Sequence, residues 1–261
     1  MQKRQFLKSL VAVSLLAGGI GLAQADVLAD AMKSGVLRVA VPQDFPPFGS
    51  VGTDLKPRGY DIDMANLIGK ELGVKVELIP VTSTNRIPYL TTGKADLVIS
   101  SLGKNPDREK VIDFSDAYAP FFNGVFGPED VALSKVEELD GKTVGVTRGS
   151  VEDLELTKIA SPKVTIKRFE DNNATISAYL TGQVQFVATG NVVAAAVNDM
   201  TKLRRLGAKF LIKNSPCYVG YAKGEAALGA KLNAIIAKAK QDGSLDAIAQ
   251  RWLNAPLPKD L

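Results

Sequence analysis

Short apolar runs alternate with stretches of helical spacing along almost the whole chain, which restricts it to an α/β architecture with helices covering largely parallel sheets. Residues 36–41 read as a first strand and 42–48 as a loop held open by three prolines. Asp61 is expected to cap a helix whose apolar positions Met64, Leu67, Ile68 and Leu72 follow helical spacing until Gly73 stops it, and 74–80 is the next strand. Residues 85–92 read as a helix, 95–100 as a strand, and a polar loop continues to Arg108. Loops that leave the carboxyl ends of strands, as at Phe45 and Ser101, are where open α/β sheets bind ligands. The pattern restarts after Pro128: strand 143–147, helix 151–159, strand 164–169, helix 172–181, strand 186–188 and helix 192–198. Helical patterns over 226–242 and 244–253 close the chain. The simplest reading is two α/β units, the second of about 100 residues between Tyr118 and Cys217, with the last helices returning to the first unit. Two crossings would then form a hinge; a single doubly wound sheet is the alternative.

Residues 1–25 read as an export signal: a basic start, an apolar stretch from Leu10 to Ala23, and the ending Ala23-Gln24-Ala25 that places cleavage before Asp26. The apolar stretch is shorter than the ~20 residues that span a bilayer, and no cysteine follows to carry a lipid. With Lys3, Arg4 and Lys8 set aside, the formal net charge of +4 becomes +1, so the body has no basic footprint for nucleic acid or a membrane surface. Histidine is absent and Cys217 is the single cysteine, which excludes an internal disulfide, the usual zinc sites and Ser-His-Asp hydrolysis.

Three features could carry chemistry. Arg108 ends a polar loop, where a guanidinium either grips a carboxylate through two parallel hydrogen bonds or stands in solvent. Gly149-Ser150 before a helix offers N–H groups and the positive end of the dipole to an anion, or Ser150 is only an N-cap. Phe45, among Pro46, Pro47 and Phe48, either stacks on a ligand or plugs the core.

Six pieces, in order, resemble one family: Gly35 to Ala40 with Phe45-Pro46-Pro47-Phe48; Gly59-Tyr60-Asp61-Ile62-Asp63; Asn85 to Leu90 with Gly93 to Leu97; Arg108 to Ser115; Leu139-Asp140-Gly141-Lys142; and Asp242 to Leu245 with Arg251-Trp252-Leu253. The chain resembles the polar-amino-acid family of periplasmic solute-binding proteins, the ligand receptors of ABC importers. The resemblance implies a two-lobed periplasmic-binding-protein fold of type II, each lobe a mostly parallel sheet flanked by helices, with lobe 1 at 26–118 and 218–261 and lobe 2 at 119–217. It implies closure on the ligand by hinge bending. By the same kinship Arg108 clamps the ligand's carboxylate with Ser101 and Gly103, where relatives usually carry threonine at the latter. The turn Thr147, Arg148, Ser150 and Val151 presents N–H groups to that carboxylate, and Phe45 stacks over the ligand.

One departure is informative. Relatives that bind α-amino acids carry an aspartate where this chain has Gly190, followed by Asn191, so either another acid, with Asp44 and Glu152 nearest in sequence, meets the ligand's ammonium, or the ligand lacks one. Arg86 and Arg148 either add positive charge beside the ligand or are surface arginines. The balance favours a small organic anion, with acidic amino acids or dicarboxylates first. The expected partners are this small carboxylate and an inner-membrane ABC permease, for a periplasmic monomer that needs no cofactor, binds no nucleic acid and is not an enzyme. The alternative is a secreted dehydratase of the cyclohexadienyl-dehydratase type. Glu152, its one candidate acid, opens a helix whose dipole is expected to stabilise the charged form.

Overall fold

In the computed structural model, residues 26–261 are described; the expected export signal lies outside the described residues. The chain opens with α1 (Val27–Ser34) and β1 (Val36–Pro42), then a small antiparallel sheet of β2 (Asp44–Phe45), β3 (Gly49–Val51) and β4 (Pro57–Arg58). There follow α2 (Tyr60–Leu72), β5 (Lys75–Val81), α3 (Arg86–Thr91), β6 (Leu97–Val98), the single turn α4 (Pro106–Glu109) and β7 (Ile112–Ala119). Strand β1 lies between β5 and β6, parallel to both, and its burial on both faces is why Leu37, Val39, Ala40 and Val41 form a continuous apolar run. Helix α2 sets Met64, Ile68 and Leu72 against that sheet, each fully buried apolar side chain contributing about 1.5–3 kcal/mol. Gly73, in the left-handed region at φ +70°, ends it by returning its N–H to the Gly69 and Lys70 carbonyls.

The chain then crosses at residues 120–121 into a second sheet. Its elements are β8 (Phe122–Gly127), β9 (Thr143–Thr147), α5 (Val151–Ile159), β10 (Thr165–Phe169), α6 (Asn172–Leu180), β11 (Phe186–Gly190), α7 (Asn191–Met200) and β12 (Gly207–Asn214). Strand order is β10-β9-β11-β8-β12, with the first three parallel and β8 and β12 antiparallel. A second crossing at 215–216 returns the chain to the first sheet through β13 (Cys217–Ala222), which completes the order β5-β1-β6-β13-β7. The Ser215 N–H donates to the Phe121 carbonyl at 3.0 Å, tying the two crossings together. Helices α8 (Ala226–Gln241) and α9 (Ser244–Leu253) cover the first sheet, where Leu232, Ile236 and Leu245 join its core and Trp252 donates to Asp63 at 2.8 Å. Each lobe is thus a five-stranded mixed sheet flanked by helices, with its parallel strands ending toward the other lobe. Among the described residues no helix is long and apolar enough to cross a membrane.

Candidate functional site

The loops that leave the carboxyl ends of β1, β5 and β6 face those that leave β9 and β10. The cleft between them encloses about 450 Å3 of empty space, counted out through its open mouth. From the first lobe come Phe45, Arg86, Ser101 and Gly103; from the second come Ser150, Val151, Glu152 and Asn172. Phe121, Asn123 and Ser215, on or beside the two crossings, close the back.

Two guanidinium groups are buried here. Arg86 is 5% exposed and donates from Nη1 to the Ser100 carbonyl at 2.7 Å and from Nε to the Ser83 carbonyl at 3.3 Å. Arg108, 7% exposed, donates to the Gly103 carbonyl at 2.7 Å and, across the cleft, to the Gly149 carbonyl at 2.9 Å. Each therefore keeps three of its five N–H donors. Burial, then the charge of Arg86 beside it, pushes Arg108 down to about 9, so it remains charged at neutral pH. Burial lowers Arg86 as well. Glu152 and Asp61 are the buried carboxyls whose fields reach them, yet no ion pair joins these four groups among the described residues. Buried charge without a paired counter-charge is costly, and it is tolerated where a ligand completes the arrangement.

Asp61 is not the N-cap that its position suggested. Gly59 holds that place, and Asp61 is the second residue of the first turn, fully buried, accepting from the Tyr118 hydroxyl at 2.6 Å and from the Ser101 N–H at 2.7 Å. Ser101 is held in the left-handed region at φ +41°, a strained conformation for a residue with a side chain, and Asp61 fixes it there. Desolvation pushes Asp61 up to about 7 against the pull of both hydrogen bonds and of Arg86. Glu152 also departs from expectation. It sits at the start of α5, but burial raises its carboxyl above the usual range despite its own backbone N–H, the Ser150 hydroxyl and the two arginines.

Of the residues singled out in the sequence, Phe45, Arg86, Ser101, Gly103, Ser150 and Val151 line the cleft, and Arg108 stands directly behind Gly103. Phe45 also packs on the core through Phe48 and Phe121, so its two expected roles coincide. Ser150 caps α5 by accepting the Asp153 N–H. The other four do not line it. Arg148 is half-exposed and ion-paired with Glu170 at 2.8 Å. The Thr147 hydroxyl is engaged by Asn172 and Thr175 inside the second lobe. Asn191 accepts the Phe122 N–H at the crossing. Gly190 is covered: a Cβ there would run into the Phe121 ring, so the position without a carboxylate has no room for one. Gly190→Ala is accordingly expected to lower stability by about 1–3 kcal/mol, an overpacking penalty read by urea unfolding; an unchanged midpoint would mean that Phe121 moves aside freely.

Asp44 lies across the cleft mouth, accepting the Asn172 N–H at 2.6 Å and its side-chain amide at 3.3 Å, so it is already engaged by the second lobe. Asn172, Phe121, Asn123 and Ser215 also line the cleft, without being among the residues that the sequence marks as candidates. The strand-end rule points to Asn172, which follows β10; the crossing residues sit in apolar or turn-like stretches with no local signal. Among the described residues no cluster of three or more Cys, Asp or Glu side chains is placed to hold a metal ion.

A profile of the bacterial extracellular solute-binding proteins, family 3, matches residues 37–255. The chain is 29% identical over 199 residues to the ABC transporter glutamine-binding protein GlnH of Bacillus subtilis, covering 75% of this chain and 72% of the relative. It is 26% identical over 264 residues to the L-cystine-binding protein TcyJ of Escherichia coli, covering 98% and 97%. The crystal structure of the ancestral amino acid-binding protein AncCDT-1, a precursor of cyclohexadienyl dehydratase, superimposes with a TM-score of 0.80 at 30% identity, covering 86% of this chain and 98% of that one. A match that takes in nearly all of both sheets, together with a cleft between two lobes that meet across it, leaves one conclusion: the chain belongs to the bacterial extracellular solute-binding proteins, family 3.

Proposed function

We propose that this protein is the periplasmic solute-binding component of an amino-acid-type ABC importer, and that it holds a small carboxylate between its lobes, an acidic amino acid or related organic anion in preference. The observation that carries this reading is the pair of buried guanidinium groups, Arg86 and Arg108, each with three N–H groups unused. A carboxylate accepts from such a fork in parallel, and the amino end of α5 adds its partial positive charge. The relatives' names, which speak of glutamine, cystine and amino acids, support the amino-acid class. The Phe121 ring over Gly190 favours acids over bases, since it puts hydrocarbon where a cationic group would need a counter-charge.

In this reading lobe 1 (26–118 and 218–261) captures the carboxylate, and lobe 2 (119–217) swings about the two crossings. Asp44 then meets Asn172 and Arg108 meets Gly149, and an inner-membrane permease recognises the closed monomer. Cleavage after Ala25 releases the exported chain.

Calorimetry on protein stripped of co-purified ligand tests the proposal. Glutamate, aspartate or a dicarboxylate is expected to bind saturably; tight binding of arginine or glutamine with none of the acids would reject the anion preference. One observation favours a second reading, a dehydratase of the cyclohexadienyl type: the raised carboxyl of Glu152 inside the cleft suits a general acid. Turnover of prephenate would select it, and binding without turnover selects the receptor.

A further inference from the structure

Asn123 is the second residue of β8, 1% exposed, at the back of the cleft. Its side-chain nitrogen donates to the Lys213 carbonyl of β12 at 3.2 Å. That carbonyl can only accept, so the amide cannot be turned round, and its oxygen must face away from β12. The oxygen is buried and has no hydrogen-bond partner, the one side-chain nitrogen or oxygen atom of which this is true among the described residues. Buried acceptors are nearly always paired, and one that is not, in the wall of a binding cleft, marks a place where something else supplies the donor. Packing alone does not call for an amide here, since asparagine is disfavoured in strands and an apolar residue of the same size would fill the position without an orphaned oxygen.

The neighbours sharpen the assignment. At one end of this wall the Phe121 ring covers Gly190; at the other the Ser215 hydroxyl occupies the space that a side chain at Gly103 would need. Among the side chains of this wall, the carbonyl of Asn123 is therefore the acceptor offered besides a serine hydroxyl, while the two guanidinium groups come from α3 and α4 of the first lobe. An acceptor-only oxygen repels a carboxylate and takes an O–H or N–H.

We infer that Asn123 is a specificity-determining ligand contact, its amide oxygen accepting a hydrogen bond from a hydroxyl or amine on the carbon skeleton of the bound carboxylate. This rests on the small-carboxylate reading above and narrows it to hydroxy or amino acids. Sites built to hydrogen-bond a polar group discriminate strongly against the analogue that lacks it, because their own group is then left unpaired.

The test uses matched acids that differ at one atom, titrated by calorimetry into the stripped protein: succinate, malate and aspartate; glutarate, 2-hydroxyglutarate and glutamate; propionate, lactate and alanine. Within any set that binds, the hydroxy or amino member is expected to bind at least tenfold more tightly than the bare acid, and which of the two does so identifies the donor. Asn123→Leu should narrow that gap to less than threefold. Should the variant fail to fold, the wild-type comparison still decides, with the side-chain carbonyl resonance of Asn123 expected to shift on addition of the preferred acid and not of the bare one. A bare acid that binds as tightly as both partners in its set, or a gap that survives Asn123→Leu, overturns the inference and leaves the carboxylate reading standing. If no set binds, the carboxylate reading fails and this inference falls with it.

Discussion

Replacing Arg108 with alanine is expected to weaken binding of whichever carboxylate the wild type prefers by on the order of 2–4 kcal/mol, about 30- to 1000-fold in Kd. Two losses combine. The ligand would lose a charged donor that is buried and still ionised at neutral pH, and the closed form would lose the bond from Arg108 to the Gly149 carbonyl that joins the lobes. Arg108→Lys should recover only part of the affinity, because a point charge with one nitrogen cannot hold Gly103 and Gly149 and still present a fork. Arg148→Ala is the contrasting control: its half-exposed pair with Glu170 is worth at most about 1 kcal/mol to folding and should leave Kd within a factor of two or so. Calorimetric titration of the three variants reads the difference. Wild-type affinity in Arg108→Ala would remove the guanidinium from the binding account.

Arg86 and Arg148 mark the limit of what local sequence discloses. Arg86 and Arg148 look alike in the chain, each beside a turn that precedes a helix. One is buried because its guanidinium reaches the Ser100 carbonyl of a loop 14 residues away, and the other is left outside with Glu170. Such a distinction depends on contacts between segments and has no local signature. Where local chemistry decides, the elements begin and end where the sequence pattern places them: α5 begins at Val151 behind the Ser150 cap, β9 spans Thr143–Thr147, and α9 begins at Ser244 after the left-handed Gly243. The strand expected over 95–100 shrinks to Leu97–Val98, since only those two residues find partners on both sides.

Strands β7, β8, β12 and β13 have no clear signature in the sequence, nor has the small sheet of β2, β3 and β4. These strands are antiparallel to their neighbours, and the register of β12 on β8 and of β13 on β7 breaks at bulges. In β12 the burial alternates irregularly, with Leu211 on the outside, so neither a continuous apolar run nor a clean period of two announces it. The site depends on them, because the two crossings carry Phe121 and Ser215 to the cleft and β8 carries Asn123.

Asp61→Asn should change how stability depends on pH. In the folded protein the Asp61 carboxyl is pushed up to about 7, whereas in the unfolded chain it returns to about 3.9. Between those values the folded state holds a proton that the unfolded state has released, so the contribution of Asp61 to stability is fully present below about pH 4, declines as pH rises through about 7, and stays lost above it. The whole excursion is on the order of 4 kcal/mol. An asparagine has no charge to desolvate, and its oxygen can still accept the Ser101 N–H that holds the cleft loop in its left-handed turn. The variant is therefore expected to match or exceed the wild type at pH 8 and to lose that advantage by pH 5. Glu152 is raised in the same direction by burial, but it is present in both proteins and cancels in the difference. Urea unfolding of the pair at pH 5, 6, 7 and 8 measures it. Curves that stay parallel across that range would mean that Asp61 remains ionised in the folded protein, with the Tyr118 hydroxyl, the Ser101 N–H and the field of Arg86 outweighing its desolvation.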